Sequence, residues 1–209
     1  MNVVIVRGRR KTLSVSVNGD AEVVVRAPLY VKDEEINRFI EKHQSWIRAR
    51  LALIEKNKLN LADGACISLF GREYTLACGR AAVKSGFVYL PQEDREKALI
   101  NLLKVFVKKE MKERTARIAV ENGFRYATVR ISSARSRWGS CSKKGNISYS
   151  FRVAFLPSDI VDYIVVHELC HTRHFNHSVK FWQEVERIIH DYKLRRKRLK
   201  EYSNIMNWL

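Results

Sequence analysis

Near the C-terminus the chain reads His167-Glu168-Leu169-Cys170-His171, followed by His177. This is H-E-x-x-H with a third histidine six residues after the second. Residues four apart lie on one face of a helix, so the imidazoles of His167 and His171 can converge on one metal ion. Glu168 is rotated about 100° away. There it makes a poor third ligand but can take a proton from a water held by the metal. Two imidazoles, a third ligand from the following segment and an open water position describe a catalytic zinc site. One Zn2+ per chain is therefore the expected cofactor, and three imidazoles suit zinc. The bland alternative is a helix whose histidines merely hydrogen-bond. It would bury imidazoles and a carboxylate without partners, which is costly.

His174 and His177 compete to be the third ligand. On a continuous helix His174 would share the face of His167, yet its Cα would stand about 10 Å along the axis at about 1.5 Å per residue. An imidazole carries its Cα no more than about 6 Å from a zinc, given a Zn–N bond of about 2.1 Å. A chain reversal over Arg173 to Asn176 would instead return His177 to the metal, so the spacing favours His177.

These residues need elements to hold them. Pro157-Ser158-Asp159 reads as a helix start, with Ser158 as N-cap and Asp159 and Asp162 as acids near the positive end of the helix dipole. Asp162 could alternatively orient a ligand histidine. Ile160, Ile164 and Val165 recur at helical spacing, widened by Val161 and Leu169, which predicts a buried motif helix. Ser178 is placed to cap a following helix with Phe181, Trp182, Val185, Ile188 and Ile189 as its apolar stripe. Upstream, valine-rich runs near 2–7, 12–18 and 21–27, broken by Gly8 and by Asn18-Gly19-Asp20, predict a small β-meander. A helix is expected from Asp33 to about Lys58, with Phe39, Ile40, Trp46 and Ile47 on or near its inner side. Short strands should follow between about 66 and 90. A long helix should run from Glu93 to Asn122 and stop at Gly123. Strands are expected at 127–132 and 146–154, flanking Arg137-Trp138-Gly139-Ser140-Cys141-Ser142.

The chain has 209 residues and 46% hydrophobic content, enough for a sizeable core without covalent staples. Its four cysteines, Cys66, Cys78, Cys141 and Cys170, form no C-x-x-C pair. That argues against a disulfide framework and fits a reducing, cytoplasmic setting. Cys141 and Cys170 read as packing residues, although Cys141 is the one thiol that the loop could bring near the metal. No targeting segment is apparent at the N-terminus, and no run approaches the roughly eighteen apolar residues of a membrane span. The formal net charge is +17, with basic clusters at Arg7-Arg9-Arg10-Lys11, at Lys108-Lys109-Lys112-Arg114-Arg117 and at Lys193-Arg195-Arg196-Lys197-Arg198-Lys200. Such a balance makes nucleic acid a candidate partner, although most charge runs are solvated faces. No helix-turn-helix, zinc-finger or RNA-binding aromatic pattern accompanies the charge.

Taken together, the blocks Arg137 to Ser142, Val161-Asp162-Tyr163-Ile164-Val165-Val166 leading into the metal motif, and Asn176-His177-Ser178 before Phe181-Trp182 make the chain resemble the YgjP-like metallopeptidase family. Weaker likeness occurs at Arg9 to Leu13, at Val24 to Pro28, at Trp46-Ile47 and at Leu69 to Tyr74. One departure is Ser150, where the family usually carries an asparagine. The resemblance implies an α+β, zincin-like fold in which the H-E-x-x-H helix packs beside a small sheet and the N-terminal meander precedes it. The division expected is a β-rich lobe with one long helix at 1–90 and a catalytic domain at 91–209, the two forming one compact unit. It further implies zinc on His167, His171 and His177, catalysis by Glu168, and a peptide or protein substrate. An edge strand beside the helix would bind that substrate by strand addition, and 146–153 is the candidate. The oxyanion of peptide hydrolysis needs a second stabiliser. Arg137, Tyr149 and Arg135 are the candidates, with Arg137 favoured because it lies in the signature. Two other readings accompany the peptidase: a protease recruited to DNA-bound proteins, and a basic nucleic-acid-binding module with a non-catalytic metal site. Retention of Glu168 argues against the last, since a structural site needs no general base.

Overall fold

The computed structural model describes residues 3–18, 21–56 and 59–207. The chain forms two compact units, Met1–Leu59 with the last three residues, and Asn60–Met206. The boundary thus falls at 59/60 rather than at 90. The reason is that the strands between 66 and 90 pack with the later helices of the second unit.

In the first unit, β1 (Val3–Gly8), β2 (Ser14–Val17) and β3 (Val23–Pro28) form a sheet in the order β1-β3-β2. β2 and β3 are the antiparallel pair of the expected hairpin, whose Gly19 and Asp20 lie outside the described residues. β1 pairs parallel with the far edge of β3, which corrects the simple meander. Residues 9–13 carry the chain from β1 past β3 to β2 on its other side. Val23, Val25 and Ala27 face the core together with Ile36 and Ile47. The expected single helix is two, α1 (Asp33–Lys42) and α2 (Gln44–Lys56), and residues 57 and 58 lie outside the described residues. The break has a local cause. The His43 ring nitrogen sits 2.8 Å from the carbonyl of Phe39, the group that helix propagation would need for the His43 N–H. That N–H turns to Ile40 instead. Ile47 is fully buried while Trp46 stays exposed, so the apolar stripe of α2 is narrower than the sequence suggests.

The second unit has mixed α and β structure. β4 (Cys66–Leu69), β5 (Arg72–Cys78), β6 (Ala82–Lys84) and β7 (Phe87–Leu90) form a sheet in the order β4-β5-β7-β6. The β4–β5 turn uses positive φ at both Phe70 (53°) and Gly71 (76°), the geometry of a tight hairpin turn. Its Phe70 N–H donates to Ala154 O, and Gly71 approaches the backbone of Pro157 and Ser158. α3 (Arg95–Asn122) buries Leu99, Leu103, Val107, Met111 and Thr115, one residue every fourth position, and ends on Gly123 at φ 68° as expected.

The second sheet lies close in sequence to the metal motif. β8 (Thr128–Ser132) pairs parallel with β10 (Asn146–Ser150), and β9 (Gly139–Cys141) pairs antiparallel with its other side. β10 is therefore the central strand, and both of its edges are taken. Strand addition to 146–153 is excluded on that ground, and residues 151–155 turn into a short 3-10 helix. β9 arises inside what the sequence suggested was a loop. Then come α4 (Ser158–Cys170), α5 (Val179–Ile188) and α6 (Tyr192–Glu201). α4 is buried along most of its length, from Ile160 to Cys170, which its apolar run requires. No helix among the described residues is long and apolar enough to cross a membrane.

Candidate active site

α4 carries His167 and Glu168, and His171 follows at its C-cap with φ −67° and ψ −14°. The chain then reverses and α5 starts after Ser178, which takes the N-cap position without a side-chain hydrogen bond. The reversal brings His177 back. One nitrogen from each of His167, His171 and His177 lies within 4.8 Å of the others. The Nε2 atoms of His167 and His177 are 3.1 Å apart. His171 Nδ1 stands 3.0 Å from the carbonyl oxygen of His174, so its Nδ1–H donates there and its Nε2 lone pair faces the cluster. His174 therefore meets the cluster through its backbone, while its ring is not part of the group.

The three rings are seated on aromatic residues. Phe181, fully buried, holds its ring 4.6–5.0 Å from all three imidazole centroids. Trp182 stacks on His177 at 5.6 Å, and Tyr192 stacks on the same indole at 5.3 Å. Arg196 of α6 covers Trp182 at 4.7 Å. Burial, then the neighbouring His171 and His177, then Arg196, push His167 down to about 3. His177 is lowered for similar reasons. Both rings are thus held neutral, the form that offers a lone pair to a metal.

Glu168 is 5% exposed. Burial raises its carboxyl to about 8, against which the charge of Arg137 acts to lower it. Its Oε2 and the Nδ1 of His167 are buried without a protein partner. Orphaned polar atoms of this kind are rare in folded proteins and ask for a ligand or a reaction. Three converging imidazoles beside a buried carboxyl oxygen without a partner fit a zinc ion with an open position.

Gly139 explains how the carboxylate finds room. A Cβ at that position would lie 2.6 Å from Glu168 Oε1 and 2.8 Å from its Cγ. The glycine of the signature is thus a steric clearance for the glutamate. Cys141, two residues on, is half-buried and pushed up to about 11 by burial and by the Glu168 charge, so its thiol stays protonated and lies outside the histidine group. Cys170 is fully buried in the core, as expected of a packing residue.

The other expected residues divide. Arg137 is exposed on the run into β9, and its charge is felt at Glu168. Tyr149 is fully buried and its hydroxyl lies 3.2 Å from Thr115 Oγ1 on α3. It cannot meet a substrate, because it alternates onto the covered face of the central strand. Arg135 is exposed, and its charge bears on Arg152. Asp162 does not reach a ligand histidine and instead accepts from Arg114 at 2.9 Å. Ser150, in the position of the family's asparagine, donates to Ala134 O at 2.9 Å and so ties down the segment that leads to Arg137. The aromatic seat and Arg196 were not assigned to the site from sequence. Phe181 and Trp182 register there only as an apolar stripe, and nothing in the spacing of Arg196 links it to the histidines.

Residues 11–202 match the sequence model of the YgjP-like metallopeptidase domain. The chain belongs to that family. The metallopeptidase zymogen of Pyrococcus abyssi, abylysin, is a similar solved structure, with 26% identity over 43% of this chain and 90% of its own, at a TM-score of 0.40. Wss1 from Saccharomyces cerevisiae is another, with 22% identity over 51% of this chain and 84% of its own, at a TM-score of 0.36. No curated protein matches the chain. Membership makes this YgjP-like chain a metallopeptidase, a hydrolase that depends on a catalytic metal.

Proposed function

We propose that this YgjP-like chain is a zinc peptidase of zincin type acting on cytoplasmic peptides or proteins, with His167, His171 and His177 holding one zinc and Glu168 as general base. The single observation that carries this reading is the convergence of three imidazoles next to a buried glutamate whose Oε2 has no partner. Zinc bound there would act as a Lewis acid, polarising the scissile carbonyl and lowering the pKa of a water. Glu168 takes a proton from the attacking water at Oε2 and returns it to the leaving amine. Gly139 leaves the space in which that carboxylate is held. His171 is aimed by the His174 carbonyl, and Phe181 and Trp182 fix the ring planes. Arg137 supplies positive charge beside Glu168, where the oxyanion forms.

The polyanion-directed readings gain less from the molecule. On α6, Arg195 and Arg198 pair with Asp191 and Asp159, and Arg196 lies on Trp182. On α3, Arg114 and Arg117 are engaged by Glu110, Glu121 and Asp162. These five arginines are therefore engaged within the molecule.

The test is hydrolysis of a quenched-fluorescent peptide library by the zinc-loaded chain beside Glu168→Gln. Turnover by the wild type and its loss in the variant, with zinc content equal, support the reading. Equal turnover by both chains contradicts it.

A further inference from the structure

Outside the histidine cluster, the molecule has an open groove of about 1200 Å³ between α3 and the outer edge of β8. Its helical wall includes Lys104, Lys108 and Lys112, its strand wall includes Arg130, and Glu113 is the one acid lining it. None of these four cations has a carboxylate partner among the described residues. This is unlike Arg114 and Arg117 on the same helix.

β8 pairs with β10 only, so among the described residues its other edge is unpaired. Alternate N–H and C=O groups of such an edge point outward and are a template for another strand. The two walls also match in length. Lys104 to Lys112 spans about 12 Å of helix, and Thr128 to Ser132 about 13 Å of strand. Lys104, Lys108 and Lys112 recur every fourth residue, or about 6 Å along the helix. Alternate side chains of an extended strand recur about every 6.7 Å. A strand laid against β8 with acids at alternate positions would therefore meet one lysine per acid.

We propose that this groove binds an extended, acidic segment of a partner protein as an added strand on β8. The edge sorts the partner classes. It presents carbonyls as well as N–H groups, which complements a peptide backbone and opposes a phosphodiester one. The groove offers a single aromatic, Tyr126, where a single-stranded nucleic acid would want a stacking platform. A second copy of this chain would bring the same cations to the same edge and be repelled. The inference does not depend on the peptidase reading, because β10 separates β8 from the β9 edge that faces Glu168.

The experiment is fluorescence anisotropy of the full chain with a labelled ten-residue peptide alternating glutamate and valine. Beside it run a Lys-for-Glu peptide, oligo-dT, and two N-methylated versions of the acidic peptide. One is methylated at the glutamates and the other at the valines. Binding of the acidic peptide alone is expected, weakened by about tenfold or more in Lys104→Glu/Lys108→Glu/Lys112→Glu. A strand on an edge turns every second N–H toward it, so one methylated version loses binding and the other keeps it. A thermal melt of the triple variant matching wild type separates lost binding from lost folding. No acidic-peptide binding, oligo-dT binding through the same lysines in its place, or equal effects of the two methylation patterns would each overturn the proposal.

Discussion

The two ends of α4 treat polar groups in opposite ways. At the N-terminal end every charge is engaged. Arg114 donates to the Ser158 carbonyl at 3.0 Å, to Ser158 Oγ at 2.9 Å, to Asp162 at 2.9 Å and to Glu110 at 2.7 Å. Arg195 donates to the Asp159 carbonyl at 3.0 Å, and Arg198 pairs with the Asp159 carboxylate. At the C-terminal end, one turn holds a buried carboxylate oxygen and a buried imidazole nitrogen with no partner. The first end shows how a helix is fixed when stability alone is at stake. The second accepts the desolvation of unpaired groups, which is tolerable only where a ligand or a reaction uses them.

That contrast can be broken from either side. Glu168→Gln should lower kcat by about 10²–10⁴-fold, the usual scale of a general base. It should leave the melting temperature unchanged or raised, since a desolvated carboxylate is removed. A kcat measurement beside a thermal melt checks both, and a large loss of stability would contradict the asymmetry.

Gly139→Ala should cost about 1–3 kcal/mol by overpacking against the glutamate. In a Glu168→Ala background the same substitution should cost close to nothing, because the colliding atoms are gone. Denaturant unfolding of the four chains of this cycle measures the coupling, and additive effects would refute the clearance role of Gly139.

At the other end, Arg114→Met should destabilise by about 1–2 kcal/mol, because it strips partners from Ser158, Asp162 and Glu110. Its kcat on whatever peptide the wild type cuts should stay near the wild-type value. Smaller still, Arg198→Ala should lower the melting temperature less than Arg114→Met does, since its pair with Asp159 is more than one-third exposed on both sides. A melt resolves either change, and a loss for Arg198 as large as for Arg114 would mean that α6 holds α4 in a way the pairing does not show.

Much of the site was legible in the sequence, because helical spacing alone puts His167 and His171 on one face and disfavours the His174 ring by distance. The long α3 with its glycine stop and the buried α4 were equally readable from periodicity. What could not be read depends on partners distant in the chain. β9 is only three residues long and exists because β10 offers it an edge, so it carries no periodic signal of its own. For the same reason, β10 reads as a strand but not as the central one. The parallel pairing of β1 with β3 is likewise a tertiary choice that the local turn chemistry does not reveal. The role of Gly139 has no local signal either, because its neighbour is a side chain 29 positions later in the numbering. Asp162 was ambiguous because the cation that claims it, Arg114, lies on another helix.

The central claim is that His167, His171 and His177 hold one zinc. Metal content by inductively coupled plasma mass spectrometry, on the wild type beside His177→Ala and His174→Ala, tests it most directly. The account predicts about one zinc per chain, lost in His177→Ala and kept in His174→Ala, because His174 serves through its backbone carbonyl. A wild-type chain that takes up no zinc after reconstitution, or zinc that departs with His174 and stays without His177, would contradict it.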